Sequence, residues 1–336
     1  MKTGKTVSIA FGFIGAVVGA GMASGAEVAA YFTPLGNWAI PAILLSAALM
    51  AGFFYLLMRF SAQQSLSSIQ GLCRFLYPSV GGVLQYAIYL GGVTVGAAML
   101  SASGELISAF TGWPNFCGAL LILALSCAVV TCGAKGVERV SMVLMPAVVL
   151  FFVGLLFFLP AEIGIEQGGF KMVRGAANAF VYASYNLGLS VSLVLSLSKG
   201  ASQKQMKHSA VLAWISISAV IAAVHLILAG GWDRIHSQLP MLDILMQKGN
   251  AVVLIYAAAL LFAIFTTNTA AMYNFALGKA GNRRMLLAAL ISFALSFFRL
   301  TDIVRFIYPI SGISAVLIAV GVFKFQIQHR KRTRSL

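Results

Sequence analysis

The chain has 336 residues, 60% of them hydrophobic and only 9% charged, with 23 Lys and Arg against 8 Asp and Glu for a net charge of +15. A mean hydropathy of +0.94 leaves too little polar material to solvate a globular surface of this size. That excludes a water-soluble domain and points to an all-α polytopic membrane protein.

Apolar runs long enough to span a bilayer predict ten helices, near 6–33, 38–58, 81–110, 115–132, 137–159, 175–198, 208–232, 250–277, 284–299 and 303–323. The ninth is the shortest. Lys2 and Lys5 precede the first run as they would in a signal peptide, but the run continues through Glu27 to Phe32, so a retained first helix is expected. With the N-terminus in the cytoplasm, 17 of the 23 Lys and Arg fall inside, including Arg330, Lys331, Arg332 and Arg334 of the basic C-terminal tail. This orientation puts both termini on the cytoplasmic side of the membrane. The positive charge then faces anionic lipid headgroups, and no nucleic-acid partner is needed to explain it. Cys73, Cys117, Cys127 and Cys132 lack metal-ligand spacing and are read as buried thiols.

The first span carries GAVVGAGMASGAE at residues 15–27. Gly15, Gly19, Gly21 and Gly25 lower helix propensity, and a helix broken at 19–24 frees amides and carbonyls that an intact helix keeps for itself. The same glycines, spaced Gly15 to Gly19 and Gly21 to Gly25, also suit close helix packing. Glu27 and Glu105 are the two acids left inside the membrane. They serve either as snorkelling or structural groups or as a carboxylate pair for coupling or gating near the outer mouth of a pathway. His225, in the seventh span, reads as an interhelical hydrogen-bond partner.

Cutting the chain after the fifth span gives two halves of five, 1–159 and 160–336, and an odd number forces the second to enter the membrane inverted. Segment six then matches segment one, with Ser184, Tyr185, Asn186 and Gly188 of VYASYNLG at mid-span and a break expected at 184–187. Segments five and ten each carry an acid and then a proline, Glu138 with Pro146 and Asp302 with Pro309.

GAVVGAGMASGAE, the central SYN of span six and KGVERVSMVLMP at 135–146 resemble the YkvI-type bacterial membrane proteins, a branch of the amino acid-polyamine-cation superfamily. KGVERVSMVLMP also resembles the start of helix five in neurotransmitter:sodium symporters. The resemblance implies a secondary transporter with a five-plus-five inverted repeat and broken helices one and six. Its substrate, most simply an amino acid, would meet Gly19, Ala20, Gly21, Met22, Ser184, Tyr185 and Asn186. It further implies one sodium site, at Gly15, Val18, Ala263, Thr266 and Thr267, the last two opening FTTNTAAMYN. A Thr pair in a membrane helix is also a common back-bonded packing feature. A second sodium site is implied to be lost, Met22 and Tyr182 standing where ligands would be, and an outer-gate arginine is replaced by Gly25. Proton coupling through Glu27 stays open beside sodium.

Other classes fit less well. Ser103 in SASGEL (101–106) with His225 is the nearest approach to a serine protease, but Ser101 stands where a glycine is expected. No GxxxxGK[ST] loop suggests ATP-driven pumping. No enzyme activity and no cofactor beyond a sodium ion are expected. A non-transporting structural or sensory membrane protein is the alternative.

Overall fold

The computed structural model describes residues 2–157, 170–231, 237, 239–247, 249–275, 281–302 and 308–334. Among the described residues all regular structure is helical. The first span forms three pieces, α1 (Lys2–Val17), α2 (Ala20–Ala23) and α3 (Ala26–Tyr31), followed by a 3-10 turn at Thr33–Trp38. There follow α4 (Ala39–Gln63), α5 (Ile69–Leu76), α6 (Gly81–Thr111), α7 (Asn115–Thr131) and α8 (Gly133–Leu155). The second half comprises α9 (Phe170–Leu197), α10 (Gln203–Ala229), α11 (Pro240–Leu245), α12 (Asn250–Tyr273), α13 (Gly281–Leu295), α14 (Leu300–Asp302) and α15 (Tyr308–Arg334).

Each of the ten expected spans thus has its helix. Five are long and apolar enough to cross a membrane unaided, and α9, bent by 63° at Leu189, makes a sixth. Residues 4–17, 115–131 and 312–328 form shorter apolar helices. The ninth span ends at Leu295 rather than 299, and α13 at about 1.5 Å per residue is shorter than the hydrocarbon core. The tenth helix runs on through the basic tail to Arg334. Glu162, Glu166 and Asp233 lie outside the described residues. Only Cys73 is buried; Cys132 is exposed and the other two partly so, against the expectation of four buried thiols.

The helix packing maps onto itself when each of the first five spans is exchanged with the one five places later. α4 packs on α9 as α10 packs on α1, α1 on α8 as α9 on α15, and α12 on α8 as α6 on α15. This pairing places α1, α6, α9 and α12 around the centre, with α6 buried over most of its length.

Small residues decide the closest approaches. A Cβ on Gly118 of α7 would stand 2.6 Å from the Ser103 carbonyl of α6 and 3.1 Å from the Gly104 Cα, so both backbones would have to part. Gly52 of α4 has nothing within 4 Å of the same position. Gly118→Ala should therefore lower stability by about 1–3 kcal/mol, the range for overpacking. Gly52→Ala should be neutral or stabilising by up to about 1 kcal/mol through helix propensity. Thermal unfolding of the two variants in one detergent checks this, and equal melting temperatures would contradict the packing described.

Candidate functional site

Helix α1 stops at Val17 because Gly19 adopts extended backbone, φ −103° and ψ −167°. The last carbonyls of a helix have no partner within it, and a membrane supplies no water, so each must be met from elsewhere. The Gly15 carbonyl accepts the Thr267 hydroxyl of α12 at 2.9 Å. The Ala20 N–H, first of the next turn, points at Met99 Sδ of α6 at 3.2 Å. A Cβ on Gly19 would lie 2.9 Å from Thr267 Cγ2 and 3.1 Å from Met99 Sδ, so the lack of a side chain here admits both partners of the break.

A second break follows at once. Gly25 takes left-handed backbone at φ 87°, ending α2 after one turn before α3 begins at Ala26. The Ala23 carbonyl accepts the Tyr256 hydroxyl of α12 at 3.1 Å, and the Ser24 carbonyl accepts the Met241 N–H of α11 at 2.9 Å. The interruption expected at 19–24 is thus present as two breaks flanking a buried turn, Ala20 to Ala23.

Beyond the second break, the buried Glu27 side chain folds back over Gly21, into the space that a Cβ on that glycine would fill. The phenols of Tyr182 and Tyr185 lie beside its carboxyl. Tyr31, Phe32, Tyr182 and Tyr185 form one aromatic cluster with ring centroids 4.9–5.9 Å apart. Glu27 Oε2 has no hydrogen-bond partner among the described residues. A buried carboxylate oxygen so placed costs several kcal/mol unless a proton or cation meets it.

Thr266 and Ala263 stand beside Thr267. The Thr266 hydroxyl is turned to the carbonyls of Phe262 at 3.0 Å and Ala263 at 3.1 Å, and it also lies 3.3 Å from Met145 Sδ of α8. All five residues matched to a sodium site, Gly15, Val18, Ala263, Thr266 and Thr267, are buried where α1 meets α12. Gly15 also serves packing, since a Cβ there would meet Ser141 Oγ of α8 at 2.6 Å.

The expectation for α9 needs correction. Residues 184–187 are helical, and the sharp bend falls at Leu189, just past Gly188. The polar side chains are satisfied along their own helix, Ser184 Oγ donating to Val181 O at 2.7 Å and Asn186 Nδ2 to Tyr182 O at 3.0 Å. Their presence therefore does not require unwinding. Ser184 also faces α15, where a Cβ on Gly312 would collide with its hydroxyl, and it lines an apolar crevice with Phe53, Phe180 and Val320. Tyr185 and Asn186 are buried, and Tyr185 stays with the Glu27 cluster.

Glu27 and Glu105 do not form a pair. Glu105 accepts from Asn115 Nδ2 at 3.2 Å in a cavity between α6, α7 and the segment after α13, while Glu27 sits against α9. His225 Nδ1 lies 3.5 Å from Thr33 Oγ1, and the Ser103 hydroxyl is turned to Leu100 O at 2.8 Å, so the two do not assemble a nucleophile and base.

At the N-terminal end of α1, Lys5 Nζ donates to the carbonyls of Lys199 at 3.1 Å and Gly200 at 2.6 Å, beyond the end of α9. Ser8 Oγ donates to Glu138 of α8 at 2.5 Å, and Ser196 bonds Tyr273 of α12 at 2.9 Å. These contacts close the end of the bundle where α1 begins. Met99, Tyr256, Met241 and Tyr31 lie beyond the sequence reading, and Lys5 enters it only as a basic flank of the first span. A tyrosine inside an apolar span such as that of Tyr256 is a usable signal, because its hydroxyl must find a partner in the membrane. A thioether or a loop amide gives no such signal.

No protein-family model matches the chain. It is 26% identical over 288 residues, 81% of its length and 80% of the relative's, to the uncharacterised membrane protein YkvI of Bacillus subtilis (strain 168). Among solved structures it resembles MhsT in complex with L-phenylalanine, at TM-score 0.73 and 14% identity over 94% of this chain and 88% of that one. It also resembles Mhp1, a nucleobase-cation-symport-1 family transporter, at TM-score 0.65 and 11% identity over 97% and 79%. A sodium-coupled sialic acid symporter gives TM-score 0.65 and 13% identity over 95% and 79%. The chain is therefore YkvI-like in sequence, with the five-plus-five inverted-repeat fold of these proteins.

Replacing Glu27 by glutamine tests whether its carboxylate is a structural anchor. Because glutamine keeps the shape of Glu27 and an acceptor oxygen toward the Tyr182 and Tyr185 phenols, Glu27→Gln should fold and melt within about 1 kcal/mol of the wild type. A marked fall in melting temperature would show that the carboxylate holds the fold together.

Proposed function

We propose that this protein is a secondary active transporter of a small organic solute, an amino acid or similar zwitterion, working by alternating access with a coupling cation. The observation that carries the reading is the Gly15 carbonyl, released by the break in α1 and engaged by the Thr267 hydroxyl of α12. A helix interrupted twice in mid-bundle, with its loose ends held by neighbouring helices, gives a carrier backbone groups for a solute and elements that can move apart.

In this reading residues 1–159 and 160–336 are the two inverted repeats, and the protein lies in the bacterial cytoplasmic membrane with both termini inside. Gly19, Ala20, Gly21 and Met22, with Tyr185 and Asn186 opposite, line the solute site. The MhsT likeness, a structure holding L-phenylalanine, supports an amino acid as the class. Lys5, Ser8 and Tyr273 form the latch that must open toward the cytoplasm.

Gly15, Val18, Ala263, Thr266 and Thr267 offer backbone carbonyls and two hydroxyls, a donor set suited to a small hard cation. Sodium held there would supply a fixed charge tying α1 to α12. The sodium-coupled sialic acid symporter among the similar folds supports this choice of ion. By linkage, sodium should raise solute affinity and the solute should raise sodium affinity by the same factor. A second reading, proton coupling through Glu27, is favoured by its buried Oε2.

Uptake into proteoliposomes from a panel of labelled amino acids, with sodium and proton gradients imposed separately, tests the proposal. Under sodium coupling Thr267→Ala should abolish the sodium dependence of uptake in a protein that remains folded. Glu27→Gln should impair uptake more than Glu105→Gln does. Uptake that follows pH alone, in wild type and Thr267→Ala alike, moves the coupling to Glu27. No solute uptake under either gradient would leave the non-transporting alternative.

A further inference from the structure

A cavity of about 100 Å³ lies apart from the broken helix, between α6, α7 and the segment joining α13 to α14. That is several times the roughly 10–15 Å³ a single water needs. It is lined by Glu105, Asn115 and Arg299, with Ser101, Ser296 and Phe116 completing the polar and apolar walls.

Glu105 is held by its neighbours, and the backbone that carries the exposed Arg299 is anchored. Gly104 of α6 lets the α7 backbone come close, so close that a Cβ there would collide with the Asn115 carbonyl, and this sets Asn115 over Glu105. Asn115 Nδ2 donates to Glu105 Oε2 at 3.2 Å. On the far wall, Ser101 Oγ donates to Phe298 O at 2.9 Å, Asp302 N to Arg299 O at 3.1 Å, and the fully buried Leu300 follows Arg299 directly in the chain. The hydroxyl protons of Ser101 and Ser296 are donated to backbone carbonyls, Phe298 and Phe293, which leaves the donors for a ligand carboxylate to Arg299.

Glu105 and Arg299 share this cavity, and among the described residues no ion pair within 4.0 Å joins them. A closed salt bridge would consume both groups. Left unpaired, the partly buried Glu105 can meet an ammonium and the exposed Arg299 a carboxylate, across a space of small-molecule size. We propose that this cavity is a binding site for a small zwitterion, the ammonium on Glu105 and the carboxylate on Arg299. The site is separate from the solute site at Gly19–Met22. A ligand there bridges α6 and α7 to α14, which itself packs on α3, the outer piece of the broken span. Glu105 thereby gains a role that does not depend on Glu27.

The test reads the cavity locally, so it is independent of whether the protein transports anything. With Cys117, Cys127 and Cys132 replaced by serine and the buried Cys73 retained, Ser296→Cys puts a reporter thiol in the cavity wall. Its rate of modification by a charged methanethiosulfonate reagent is measured with glycine, glycinamide or N-acetylglycine added, potassium chloride serving as the ionic control. Glycine should slow modification at least fivefold at saturation, while glycinamide, N-acetylglycine and the salt should not. Glu105→Gln or Arg299→Gln, each checked for a monodisperse elution profile, should abolish that protection. Should Ser296→Cys not fold, Ser101→Cys reports on the same cavity. Absence of protection by glycine, protection that survives both charge substitutions, or equal protection by a singly charged probe would each overturn the proposal.

Discussion

The constraint that governs this molecule is that a backbone group inside a bilayer has no water to turn to. A continuous span meets the constraint alone, through its own i to i+4 bonds. The first span does not, and four of its loose ends are met by specific neighbours: Gly15 O by Thr267, Ala20 N by Met99, Ala23 O by Tyr256 and Ser24 O by Met241. Three of the four partners lie on α11 and α12. The break is therefore a joint between α1 and the second half of the chain, and its integrity depends on residues some 220 to 250 positions away.

Glycine serves two ends at this joint. Gly15 lets Ser141 approach, Gly19 admits Thr267 and Met99, and Gly21 makes room for the Glu27 side chain. Close packing and helix interruption are usually weighed as alternatives for a glycine-rich span. Here they are the same arrangement, because a freed carbonyl is satisfied only if the neighbouring helix can come within hydrogen-bond distance. A side chain at Gly19 would separate α12 from the carbonyl it serves.

The two membrane acids show how environment divides like residues. Glu105 keeps an amide partner and shares a cavity with Arg299. Glu27 is enclosed by Tyr182, Tyr185 and Gly21, with one oxygen unmet. The closed contacts at the opposite end, Lys5 to Gly200 and Ser8 to Glu138, use one charged donor and one charged acceptor at the end of the bundle where α1 begins.

Much of this was legible in the residues themselves. Hydropathy and length locate ten spans, because burial in lipid demands about twenty apolar residues whatever the helix packs against. The glycines of 15–25 and the charge of Glu27 mark the broken span, since both are costly in an ordinary membrane helix. The α9 break was misplaced because Ser184 and Asn186 read as polar interruptions, whereas each bonds a carbonyl of the preceding turn and the bend falls at Leu189. The separation of Glu105 from Glu27 was likewise beyond the sequence. Depth along a span follows from counting residues, but which helix a side chain faces depends on packing among elements distant in the chain, and only the tertiary structure sets that.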